Sequence, residues 1–106
     1  MGAVDDMTLI HKSETINDRT IKDEVEKLID QARYDYGNSG YTGSIAEADG
    51  VRLRLNIAFE IEAPRDWDAE YDFTEAVADK WGPAVVCRAT QDDEDIGYVI
   101  CGIYSS

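Results

Sequence analysis

Apolar positions recur along this chain with two different periods, and the changes of period divide it into elements. Ile21, Val25, Leu28, Ile29, Ala32 and Tyr36 return every three or four residues and fall within about a 100° arc, which predicts an amphipathic helix. Asn17 or Asp18 offers a cap at its start, and Gly37-Asn38-Ser39-Gly40 ends it, so the predicted span is 18–36. Ahead of it, Met7 to Lys12 reads as a short strand. Beyond it, Val51, Leu53, Leu55, Ile57, Phe59 and Ile61 alternate with Arg52, Arg54, Asn56, Ala58 and Glu60, the period of a strand with one face in a core and one in water. Asp49-Gly50 suits the positive φ of a type I′ turn, so residues 42–48 are predicted to pair with this strand as a hairpin.

A second helix is predicted from about residue 66 to Trp81, between Ala63-Pro64 and Gly82-Pro83. Asp66, Asp68 or Asp72 is its cap, the last with Glu75 as a capping box. Ala84 to Thr90 and Gly97 to Tyr104 then read as a second hairpin around the polar loop Gln91-Asp92-Asp93-Glu94-Asp95. The order β-α-β-β-α-β-β predicts one α+β domain over residues 1–106. Its form is a two-layer sandwich, an antiparallel sheet of four to five strands with both helices on one face, ferredoxin-like or a close variant.

Charge changes this picture from fold to function. The 106 residues carry 23 Asp and Glu against 10 Lys and Arg, a formal charge of −13, so direct binding to nucleic acid is disfavoured. The acids are concentrated: residues 62–95 hold eleven of them with three bases. Within the second helix Asp68, Asp72, Glu75 and Asp79 recur at helical spacing as one acidic stripe, opposite Phe73, Val77 and Trp81. Like charges four residues apart cost about 0.2–0.5 kcal/mol per pair, so the stripe is not there for stability. The other concentration is Asp92, Asp93, Glu94 and Asp95 in the hairpin loop. Trp67, Tyr71 and Trp81 lie close by, as do Tyr34, Tyr36 and Tyr41 around the glycine-rich segment, with roles open between core and interface anchor.

Other chemistry finds little support. Asp66-Trp67-Asp68-Ala69-Glu70-Tyr71 begins like a calcium loop but has Tyr71 where glycine is needed and Val77 where a bidentate glutamate belongs, so no metal site is predicted. Gly37 to Gly43 follows a helix and lacks a P-loop lysine, and no cofactor motif is present. His11, the sole histidine, reads as a surface group on an edge strand and could serve as a general base only if the fold brought Ser13, Cys87 or Cys101 to it; an enzyme is the third option, with Glu47, Glu60 or His11 lining a cleft. Cys87 and Cys101 share a strand face and read as buried thiols, possible cross-strand neighbours. No apolar run reaches the length of a membrane span, and Met-Gly-Ala-Val-Asp-Asp lacks the pattern of a signal peptide, so the expected location is the cytoplasm.

Tyr-Gly-Asn-Ser-Gly-Tyr-Thr-Gly-Ser-Ile at 36–45 and Lys-Trp-Gly-Pro-Ala at 80–84 resemble segments of small proteins carried by phages and prophages. The resemblance covers these two motifs and transfers no catalytic residue. It implies a setting in which small acidic proteins disable host enzymes by occupying their nucleic-acid sites. The function expected is that of a non-catalytic acidic binding protein. Asp68, Asp72, Glu75, Asp79 and Asp92 to Asp95 would meet a basic surface of a partner protein, with mimicry of nucleic acid as its sharpest form. The alternative is a housekeeping domain of a salt-loving organism, its acidity serving hydration.

Overall fold

A computed structural model describes residues 3–36, 50–79 and 82–105. Six elements follow in the order β1 (Ala3–His11), α1 (Ile21–Tyr36), β2 (Val51–Glu60), α2 (Trp67–Val77), β3 (Ala84–Gln91) and β4 (Glu94–Ser105). The strands form one sheet in the order β1-β4-β3-β2. The molecule is an α+β sandwich, as predicted, and its succession of elements is roughly ferredoxin-like.

Two features of the prediction are corrected. The sheet is mixed: β1 and β3 run antiparallel to β4, but β2 runs parallel to β3, because α2 carries the chain back to the other end before β3 begins. The helices also lie on opposite faces. Ile21, Val25 and Ile29 of α1 pack with Ala84, Val86, Tyr98, Ile100 and Tyr104, whereas Val77 and Phe73 of α2 pack with Val85, Cys87, Ala89, Val99, Cys101 and Ile103. The physical reason lies in β3 and β4. Ala84 to Cys87 and Tyr98 to Cys101 are buried without interruption, and a strand apolar on both faces needs a cover on both. Each Val or Ile so buried contributes about 1.5–3 kcal/mol, which a one-sided arrangement would forfeit.

β2 serves both cores through a break in its register. Arg54 is paired with Cys87, yet Arg88, the next residue of β3, is paired with Ala58, so three residues of β2 are passed over. An odd offset exchanges the faces. Val51 and Leu55 therefore join the α1 core while Ile57 and Phe59 join the α2 core, and Leu53 is left 38% exposed. The predicted single buried face of this strand is corrected accordingly. The partner strand predicted at 42–48 lies outside the described residues, as do Gly37 to Asp49 as a whole.

α1 begins at Ile21, later than the predicted 18, because Asn17 to Thr20 form a turn. The Asn17 side chain accepts from the Arg19 amide at 2.9 Å and the Asn17 carbonyl from the Ile21 amide at 2.8 Å. Leu28, predicted on the buried stripe, is 40% exposed.

Candidate functional site

α2 starts where Asp66, in extended conformation, accepts a hydrogen bond from the Ala69 amide at 3.1 Å. Asp66 is thus the cap, rather than Asp68 or Asp72. The helix ends at Val77: Ala78 is extended, its amide held by the Thr74 carbonyl, and the Gly82 amide ahead of β3 donates to the Asp79 carbonyl. The predicted continuation to Trp81 is corrected, and with it the stripe. Asp68, Asp72 and Glu75 stand exposed on the helix, but Asp79 lies beyond it. Helical periodicity in the residues continues past the point where Ala78, extended and buried in the α2 core, ends the helix.

The exposed side of α2 carries more than carboxylates. Trp67 is 67% and Tyr71 53% exposed, one helical turn apart and interleaved with Asp68 and Asp72. Trp67, Tyr71 and Asp68 line a groove of about 420 Å³ whose other wall is Asp5, Asp6 and Met7 of β1. Burial pushes the Asp6 carboxyl above its ordinary range, with Arg65 acting in the opposite sense. Arg65 stacks on the Trp67 ring, 4.1 Å from its centre, and makes a close ion pair with Glu70. Glu75 raises the Tyr71 phenol by hydrogen bonding. Among the described residues, Asp68, Asp72, Glu75 and Asp79 meet no cation in an ion pair. α2 has no basic residue, whereas α1 compensates its acids with Lys22–Glu26 and Lys27–Glu24 pairs.

The second acidic concentration is a tighter turn than predicted. β3 extends to Gln91 and β4 starts at Glu94, so only Asp92 and Asp93 form the loop, with φ of 53° and 65°. These are the angles of a type I′ turn, here built without glycine. Glu60 at the end of β2 supports it, accepting from the Asp92 amide at 2.8 Å and the Thr90 hydroxyl at 2.5 Å. The Thr90 hydroxyl, with the turn amides, holds Glu60 below its ordinary range. Asp92, Asp93 and Glu94 remain exposed. Asp95 does not stand free: Arg88 lies 3.3 Å and Lys12 3.6 Å from its carboxylate.

That neutralisation belongs to a cluster the periodicity did not reveal. Arg88 grips Asp18 through two nitrogens, at 2.5 and 3.2 Å, and the buried Tyr98 hydroxyl donates to Asp18 at 2.6 Å. Hydrogen bonds from Arg88 and then Tyr98 hold Asp18 below the usual carboxylate range; burial, with Asp18 beside it, pushes Tyr98 well up. The one clue in the sequence was Arg88 itself, a charge inside an otherwise apolar strand.

The remaining candidates are placed plainly. His11 is exposed at the end of edge strand β1, and β4 and β3 both stand between it and Glu60 on β2, so the structure does not bring them together; Glu47 lies outside the described residues. Cys87 and Cys101 are buried free thiols on the α2 side, pushed by burial to about 11 and about 12. They sit diagonally, since Cys87 pairs with Val99 and Cys101 with Val85. No helix among the described residues is long and apolar enough to cross a membrane. Compared with protein-family models, curated proteins and solved structures, the chain finds no match.

Proposed function

We propose that this chain is a non-catalytic acidic binding protein whose α2 engages a basic surface of a partner protein, with Trp67 and Tyr71 as anchoring side chains. One observation carries the reading: a tryptophan and a tyrosine stand exposed one turn apart beside Asp68, Asp72 and Glu75, which among the described residues form no ion pair. Aromatic side chains of this kind dominate binding energy at protein interfaces, and the surrounding charge sets partner sign and encounter rate. A surface acidic only for hydration in salt has no use for a tryptophan exposed at the start of its acidic helix. Asp92, Asp93 and Glu94 add to the field from the hairpin tip, while Asp95 is spent internally. The narrower form, imitation of a nucleic-acid strand to inhibit a nucleic-acid-processing host protein, draws on Asp68 and Asp72, about 6 Å apart along the helix axis.

The test is capture from extract of the native host. Wild type should retain a basic protein that Trp67→Ala/Tyr71→Ala and Asp68→Asn/Asp72→Asn/Glu75→Gln both lose, with retention falling as salt rises. Mimicry in particular requires added DNA or RNA to compete. Identical retention by all three proteins refutes the reading.

A further inference from the structure

We propose that the open edge of β1 and the groove between β1 and α2 together form a strand-addition site for an extended segment of a partner whose inward-facing residues, every second one along the strand, are a basic residue followed by an apolar one. The proposal rests on the acidic-binding reading above and names the form in which the partner is held. β1 ends the sheet, with β4 on one side and, among the described residues, no strand on the other. Its register with β4 is unbroken from Ala3 to His11, and the Lys12 amide continues it by donating to the Ile96 carbonyl at 3.0 Å. Bonds to β4 alternate along an antiparallel ladder, so the phase set by Lys12 turns the amides and carbonyls of Met7, Leu9 and His11 to the open side. The strand has neither proline nor bulge, and the charges that guard its edge, Asp5 and Asp6, repel a second acidic chain but admit a basic segment.

A strand laid along this edge places every second side chain on the α2 side, alongside Met7 and Leu9. Those side chains enter the groove of about 420 Å³ walled by Trp67, Tyr71 and Asp68. Arg65 also lines the groove, over Trp67 and paired with Glu70, so an incoming arginine or lysine has the Tyr71 ring for its stem and Asp68 for its head. The chain already shows that geometry internally, where Arg65 lies over Trp67 at 4.1 Å. The next inward position meets Leu9, 36% exposed, and half-buried Met7, which suits an apolar residue. The competing occupant is a second copy of β1 paired across a two-fold axis. That arrangement sets two α2 helices side by side, each without a base, on chains of charge −13, and like-charge repulsion disfavours it.

The probe is a labelled, capped Arg-Ser-Val-Ser repeat peptide, whose every second side chain is alternately basic and apolar, compared with the same peptide N-methylated at alternate residues. Strand addition predicts that methylation, which removes the pairing amides but not the charge, weakens binding to wild type more than about tenfold. Leu9→Pro, at an amide facing away from β4, should erase that difference. In wild type, amide exchange at Met7, Leu9 and His11 should slow on peptide addition, a readout independent of how Leu9→Pro folds. Equal binding of both peptides, with weakening only by Asp68→Asn/Asp72→Asn/Glu75→Gln, overturns strand addition and leaves the acidic-face reading standing. Binding of neither peptide, or unchanged exchange at those amides, also overturns it. Sedimentation of wild type alone at twice 11.8 kDa, with those amides already protected, overturns it in favour of the second copy. Host-protein capture indifferent to the triple variant sinks the underlying reading separately.

Discussion

Asp18 is half-exposed, yet it holds the turn before α1 to the centre of the sheet through Arg88 and Tyr98. Its carboxyl is held below the ordinary range, so the sign of its linkage is fixed: the stabilisation is complete above the unfolded value and fades as pH falls through the lower native one. Asp18→Asn should therefore cost about 1 kcal/mol near neutral pH, discounted for exposure, and the gap to wild type should narrow toward about pH 3. Urea unfolding at both pH values measures it. A gap constant with pH would mean that the carboxylate's charge contributes nothing. Tyr98 is the reason the site was hidden: its ring belongs to the α1 core and only its hydroxyl reaches Asp18, a contact across 80 positions that no periodicity encodes.

α2 is electrostatically strained in a directional way. Asp68 and Glu70 in its first turn favour the helix dipole, but Glu75 sits near the C-terminus, where the last turn has no basic residue. Asp68 with Asp72, and Asp72 with Glu75, add like-charge neighbours. The triple variant Asp68→Asn/Asp72→Asn/Glu75→Gln is accordingly expected to be as stable as wild type or more stable by a few tenths of a kcal/mol, while losing partner binding. Asp66→Ala, on the same helix but acting through the cap, should instead cost about 1 kcal/mol. Chemical denaturation of the two variants separates these cases, and a triple variant much less stable than wild type would show that the carboxylates serve the fold. Stability given up along one exposed face is what a surface shaped by binding would show.

Across the whole molecule, the α+β class and the six described elements were legible in the sequence because they depend on local period, capping and turn residues. The face each helix covers was misread: both were expected on one face, although the uninterrupted apolar runs at Ala84–Cys87 and Tyr98–Cys101 already required two covers. The reversal of β2 was invisible, since strict alternation continues through a register break that only pairing with β3 creates. Of the candidate site, Asp68, Asp72 and Glu75 were readable from spacing; the loss of Asp95 to Arg88 and Lys12 was not, because those partners arrive from other strands and loops. The groove against β1 likewise exists only once α2 is packed beside it. The account therefore depends on a focused surface within an acidic whole. Titration of isotope-labelled protein with an arginine-rich peptide, followed by backbone amide shifts, tests that focus most directly. Shifts confined to β1 and to Trp67 through Glu75 are predicted; shifts of equal size at the acids of α1, Asp23, Glu26 and Asp30, would contradict it.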